Sequence, residues 1–190
     1  SHANFNCADL RGVYFQRCNF RAVTFIQADL RGAHFFRCSL LRTNLSQANL
    51  SSAFFDHRTS LRNASLRKAN LTFANLPVDC RDSTFYDATT TGMSIPPDTR
   101  LFGAYVPDDS HEFIAHILFQ AAGKHLGRRK LAGLVRVSYD WCWKDFIGFA
   151  GPELDWALTT LKKQPGLDAA VERYAPAIEQ AKNEQKIGEQ

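Results

Sequence analysis

The 190-residue sequence has no run of eighteen apolar residues, so no segment reads as a membrane-spanning helix. It has no basic-then-apolar leader and no initiator Met; Ser1 and His2 read as additions ahead of a pattern already under way at Ala3, with the natural start missing. It has no CxxC. Its cysteines stand at 7, 18, 38, 80 and 142, an odd number that argues for free thiols in small core positions. A reducing, cytoplasmic compartment is the expectation that follows. No phosphate-binding glycine loop occurs, because Gly127-Arg128-Arg129-Lys130 lacks the P-loop framework and reads as a basic surface turn. Acidic charge is scarce in one half only: residues 1–100 hold 12 Arg or Lys against 7 Asp or Glu, whereas residues 101–190 hold 11 against 12. A strongly anionic surface on the first half is therefore excluded.

What the first half does contain is a five-residue beat. Phe5, Leu10, Phe15, Phe20, Phe25, Leu30, Phe35, Leu40, Leu45, Leu50 and Phe55 recur at every fifth position. Two places before each stands a compact residue, such as Ala8, Val13, Cys18, Ala28, Cys38 or Ala48. The beat resumes one residue out of phase at Leu61, Leu66, Leu71 and Leu76. A period of five is neither helical nor continuously alternating, so the chain must coil as a repeat structure.

Residues two apart on a short extended segment point to the same side, so each unit sends two apolar side chains inward and the Asn or Asp between them outward. The remaining two positions favour Gly, Ser, Gln, Arg and Asn, which suit a turn. Four such units close a square, and coils of twenty residues stack at roughly the 4.7–4.9 Å inter-strand spacing. Four inward columns result: Leu10–Leu30–Leu50–Leu71, Phe15–Phe35–Phe55–Leu76, Phe20–Leu40–Leu61 and Phe5–Phe25–Leu45–Leu66. The extra residue between Phe55 and Leu61 predicts a bulged corner in Asp56–Ser60. Pro77 ends the clean repeat, and Phe85, Thr90 and Ile95 carry a degenerate coil to about Leu101.

Ala-Asp-Leu-Arg-Gly at 8–12 and 28–32, Ala-Asn-Leu-Ser-Ser at 48–52 and Ala-Asn-Leu-Thr-Phe at 69–73 resemble the A(D/N)LXX pattern of pentapeptide-repeat proteins. The resemblance covers about residues 3–95. It implies a right-handed quadrilateral β-helix, and its best-known functional branch mimics DNA to engage type II topoisomerases such as DNA gyrase.

The segment from Pro96-Pro97-Asp98 to Pro107-Asp108 breaks the repeat, so residues 102–109 read as a linker, and 110–190 as a small all-α domain that caps the solenoid and ends in a polar tail. Helices are expected over Ser110–Leu126, over Arg128–Phe149 with a break near Tyr139, from Gly151-Pro152 to Gln164, and over Leu167–Glu184. His111 and His116 are five apart, which separates them by about 140° on a helix and makes them solvated side chains, not a zinc pair. Trp141-Cys142-Trp143 and Trp156 read as core aromatics, because a catalytic cysteine would need an activating partner. Asp140 with Asp145, and Glu153 with Asp155, read as solvated or capping carboxylates. No catalytic residue, metal ligand or cofactor is assigned. The Asn-x-Ser/Thr sequons at 44, 49, 63 and 70 follow automatically from the repeat.

The outward slots carry the functional expectation. Arg17, Arg37 and His57 fall in one column, and Tyr14, His34 and Phe54 in the column beside it; Phe36 also points out. Arg11 with Arg31, and Arg21 with Arg62, form two more columns. An apolar patch rimmed by Arg predicts a partner-binding face made of Tyr14, Arg17, His34, Phe36, Arg37, Phe54 and His57. The leading reading is a non-catalytic interaction scaffold with a protein partner. The alternatives are a nucleic-acid-binding protein, which the charge sign suits, and a gyrase- or topoisomerase-interacting protein, which it does not.

Overall fold

The five-residue beat folds into a β-solenoid, followed by a helical region, in a computed structural model that describes residues 3–138 and 142–188. The longest strands are β1 (Tyr14–Gln16), β2 (His34–Phe36) and β3 (Phe54–Phe55), paired in parallel with Tyr14 opposite His34 and His34 opposite Phe54. The other sides of each coil are single bridges. One ladder runs Asn4–Thr24–Asn44–Ser65–Thr84–Tyr105 and a second Asp9–Asp29–Asn49–Asn70–Thr89. The third extends the three strands to Asn75 and Ser94, and the fourth runs Asn19–Ser39–Ser60–Asp79–Arg100. Residues 102–105, expected in the linker, belong to the coil through the bridge Thr84–Tyr105, and the chain divides into two units after Pro107.

The residues flanking each bridge point inward. Phe25, Leu30, Phe35, Leu40, Leu45 and Leu50 have no exposed surface. The Phe35 and Phe55 rings stack with centroids 4.8 Å apart, the spacing that parallel strands impose on successive coils. Buried polar groups in this core are satisfied by main chain, as where the Thr43 hydroxyl donates to Phe20 O.

The preference for Asp or Asn at each bridge has a local cause. The side-chain oxygens of Asn4, Asn19, Asn44, Asn49 and Asn70 each accept the N–H two residues on, at 2.8–3.2 Å. This bends the chain into the corner. The second corner residue then adopts a left-handed backbone, and thirteen non-glycine residues do so among those described, from Cys7 to Asp87. Each costs of the order of 1 kcal/mol. The conformation holds because the corner N–H reaches the next coil, as from Ala22 to Leu41 O at 3.0 Å and from Gln47 to Arg67 O at 2.8 Å.

The bulged corner at Asp56–Ser60 is present, with a feature the spacing alone did not reveal. Arg37 N donates to the Asp56 carboxylate at 2.9 Å, where its counterparts donate to a backbone carbonyl. The Thr59 hydroxyl lies 2.7 Å from the same oxygen, and Thr59 N closes the turn on Asp56 O. Partial burial opposes charging of Asp56, but the hydrogen bonds from Thr59 and from the Arg37 and Arg58 N–H groups outweigh it and hold the carboxyl below its ordinary value. On the same side of the rod one coil later, Pro77 shortens the chain and Cys80 takes the inward slot, fully buried. A second long corner follows, with Thr99 N donating to Pro96 O as Thr59 N does to Asp56 O.

The second unit is helical. Ser110 caps α1 (His111–Ala122) by accepting from Phe113 N. α1 packs against α2 (Leu126–Arg136), and Phe113, Ile114 and Leu118 of the first and Leu131, Ala132 and Val135 of the second are buried. The single stretch expected over 128–149 is two helices, α2 and α3 (Trp143–Phe149); its expected break at Tyr139, with Asp140 and Trp141, lies outside the described residues. A 3-10 turn at Gly151–Glu153, set by Pro152, leads into α4 (Leu154–Leu161). The last expected helix is α5 (Asp168–Arg173) and α6 (Ala175–Gly188), with Pro176 in the first turn of α6. Trp143 is a core aromatic: its Nε1 donates to Asp108 O at 2.8 Å and its ring stacks on Tyr174. His116 is buried in α1, contrary to the solvated position expected for it. Among the described residues no helix is long and apolar enough to cross a membrane.

Replacing Asp56 with Ala leaves Arg37 N without its acceptor and lowers stability at neutral pH by about 1–3 kcal/mol, with Asp56→Asn intermediate. Because the folded carboxyl titrates low, this contribution is complete above about pH 4 and fades as pH falls through the folded value. Chemical denaturation of both variants at pH 7 and near pH 2.5 checks this: the gap to wild type narrows in acid, and a constant gap contradicts the role given to the carboxylate.

Candidate partner-binding face

The third ladder is the only one among the described residues where the bridges lengthen into strands, and its outward slots are aromatic. Tyr14 and His34 stand on successive coils with ring centroids 4.4 Å apart and planes 3° from parallel. Phe36, two residues along β2, joins them: its plane is within 7° of both the Tyr14 and His34 rings, at centroid distances of 6.4 and 5.9 Å. Phe54 closes the group against His34 and Phe36 at 5.9 and 5.7 Å, tilted by about 40° in each case. Four of the seven expected site residues therefore form one continuous aromatic surface. Rings stacked coil upon coil turn their faces along the ladder and their edges to solvent. Tyr14 is 69% exposed and Phe54 37%.

Arg17 and Arg37 occupy the next corner, each directly after a strand and each left-handed. Their N–H groups are committed, Arg17 to Phe36 O and Arg37 to Asp56, which leaves the guanidiniums to solvent. Among the described residues neither makes an ion pair or lies over a ring. His57 is exposed and accepts a hydrogen bond from Arg58 Nε at 3.3 Å.

The other arginine column is electrically different. Arg11 grips Asp9 at 2.6 Å and Arg31 grips Asp29 at 2.7 Å, each pair spanning one corner. The Arg11 hydrogen bond holds the Asp9 carboxyl down at about 2, and Arg31 lowers Asp29 in the same way. Arg81 repeats the arrangement with Asp79. An Asp-x-Arg unit thus neutralises itself, whereas Arg17 and Arg37 follow Phe15-Gln16 and Phe35-Phe36 and have no such partner.

Further outward aromatics lie lower on the rod. Arg67 sits 4.6 Å above the Tyr86 ring, which contacts Tyr105. Phe73 is 67% exposed in a left-handed corner and covers Gly92, where a Cβ would meet the ring at 2.5 Å. The five-residue register could have placed Tyr86 and Tyr105 in one ladder, but the shifts at Pro77 and Pro96 hide it. Among the described residues no group of His, Cys, Asp or Glu is arranged to hold a metal ion.

Residues 3–40, 28–57 and 38–77 match the family described as pentapeptide repeats, in 8 copies. No curated protein matches the chain. Among solved structures, a pentapeptide repeat protein from the Arabidopsis thaliana thylakoid lumen is 25% identical over 60% of this chain and 76% of its own, with a TM-score of 0.38. HetL of Nostoc sp. strain PCC 7120, a pentapeptide repeat protein involved in heterocyst differentiation regulation, is 29% identical over 56% and 42%, with a TM-score of 0.20. QnrB1, a plasmid-mediated fluoroquinolone resistance protein, is 20% identical over 56% and 62%, with a TM-score of 0.29.

The outward aromatics contribute little to folding compared with their inward neighbours. Phe35→Ala opens a cavity in the rod and costs about 3–5 kcal/mol, while Phe36→Ala forfeits only ring contacts worth about 1 kcal/mol. Denaturant titrations of the two variants separate them; equal losses would show that the outward face is structural.

Proposed function

The repeat half of this chain belongs to the pentapeptide-repeat family, and from that premise we propose that the protein is a non-catalytic scaffold whose third ladder binds a protein partner. The four bridge ladders support a right-handed quadrilateral coil, on which Tyr14, His34, Phe36 and Phe54 form one side and Arg17, Arg37 and His57 its rim. The single observation that carries the reading is the orientation of the rings. Aromatic edges bear the positive end of the ring quadrupole, so an edge-on surface beside two uncommitted guanidiniums suits carboxylates and main-chain carbonyls. Five free thiols support a reducing, cytoplasmic setting.

The same orientation disfavours nucleic acid. Binding of single strands relies on ring faces on which bases stack, and here the faces of Tyr14, His34 and Phe36 lie against one another. DNA mimicry toward gyrase requires uncompensated acid. Asp9, Asp29 and Asp79 are each held by an arginine two residues away.

The test is affinity capture with the full-length chain carrying Phe36→Asp, Phe54→Asp or Arg37→Glu. Loss of a partner retained by wild type, by about tenfold or more and with the thermal transition unchanged, is the expected result. Unchanged capture removes this face from consideration. Gel shifts at low salt give no complex with duplex or single-stranded probes; a salt-sensitive shift would favour the nucleic-acid reading instead. Gyrase supercoiling is unaffected by the protein if the scaffold reading holds.

A further inference from the structure

From Phe113 to Ser138 the chain carries no Asp or Glu, yet holds Lys124, Arg128, Arg129, Lys130 and Arg136. Three of these cations fall in the first turns of α2, where the positive end of the helix dipole opposes them. Their positions therefore cost the helix stability, which points to a use outside it.

α2 is amphipathic in an unusual way. Its inner arc, Leu131, Ala132 and Val135, is buried. The opposite arc is also apolar, with Leu126 67% exposed, Leu134 52% and the capping residue Val137 64%. At 100° per residue these three cluster around Lys130, and Arg129 and Arg136 flank them two turns apart. Both flanking guanidiniums lie on the ring of Phe119 from α1, at 4.7 and 5.8 Å from its centroid. Held over the ring in this way, both guanidiniums keep donors that can engage a carboxylate fork. Arg128 is different: Glu153 at 3.1 Å and the Trp156 ring at 4.8 Å hold it within the unit. Among the described residues Lys124, Arg129, Lys130 and Arg136 make no ion pair.

We propose that the outward arc of α2 is a docking surface for an acidic amphipathic helix of a protein partner. Its leucines would pack against Leu126, Leu134 and Val137, and its carboxylates, seven residues apart, would meet Arg129 and Arg136. Charge complementarity commits the site to an anionic partner. An anionic membrane is the other occupant of that sign, and the arc suits it less well. It offers no outward aromatic to anchor at an interface, and Lys130 stands among the residues that would have to enter the acyl region. A partner helix can instead give Lys130 a carboxylate.

The probe is a fluorescein-labelled, stapled helical peptide of about fifteen residues, with leucines spaced four and three apart and glutamates on both flanks. A matched peptide with serine for leucine serves as control. Fluorescence anisotropy with the full chain shows saturable binding of the leucine peptide and weak binding of the control. Leu134→Asp, and Arg129→Glu with Arg136→Glu, each weaken it by at least about tenfold while circular dichroism is unchanged. No saturable binding, or binding indifferent to Leu134→Asp, overturns the proposal. So does flotation with phosphatidylserine vesicles that these same substitutions abolish, since that assigns the arc to a membrane. A sedimentation shift to dimer that the substitutions reverse assigns it to a second copy and also overturns it.

Discussion

The hydrogen bonds from left-handed corner residues to the coil that follows are the constraint on which the repeat half depends. A five-residue side is too short to turn through a corner without a residue at positive φ, and an L-residue resists that conformation. The bridging Asn or Asp bends the chain into the corner, and the next coil accepts the N–H that the bend points toward it. The inter-coil bond lets Arg, Gln, Lys and even Phe73 occupy a backbone state normally left to glycine, including at Arg17, Arg42 and Lys68, where no Asn or Asp precedes the corner. Because every corner leans on its neighbour, the coil is stable only as a stack.

Stacking in turn makes the surface. Side chains one coil apart are held near the strand spacing whatever they are, so a column of aromatics becomes a column of parallel rings, and a column of arginines becomes a column of charge. Sequence then tunes each column. Where Asp precedes Arg by two residues the charge is cancelled on the spot, as in Asp9–Arg11 and Asp29–Arg31. Where Phe precedes it, as at Arg17 and Arg37, the charge survives beside aromatic edges. The corner at Asp56 links fold to face: its carboxylate fastens the backbone of Arg37, one of the two arginines on the rim, and leaves that side chain outward.

Much of this was legible in the chain. The beat of Phe and Leu located all four core columns as far as Leu76, and the extra residue after Phe55 located the bulge, because register in a stack tolerates no ambiguity. The coincidence of Tyr14, His34 and Phe54 followed from counting by twenty. Phe36 was seen to point outward, but not to share a plane with Tyr14, since ring orientation depends on rotamers that spacing does not set. The shifts at Pro77 and Pro96 hid the continuation to Tyr105: a deletion and an insertion on one side of the rod cancel in space but not in sequence. In the helical unit, periodicity placed the helices and the restart at Gly151-Pro152 but not the break at Tyr174, and it missed the burial of His116 and the contact of Arg129 and Arg136 with Phe119. Those depend on which helix packs against which, a relation that no local pattern records.

The most direct measurement is site-specific photocrosslinking in cells, with benzoylphenylalanine placed at Phe36 on the third ladder or at Gln47 away from it. Protein adducts from position 36, resistant to nuclease and missing from position 47, are what a partner-binding aromatic face predicts. Equal adducts from both positions, or adducts that nuclease removes, would contradict it.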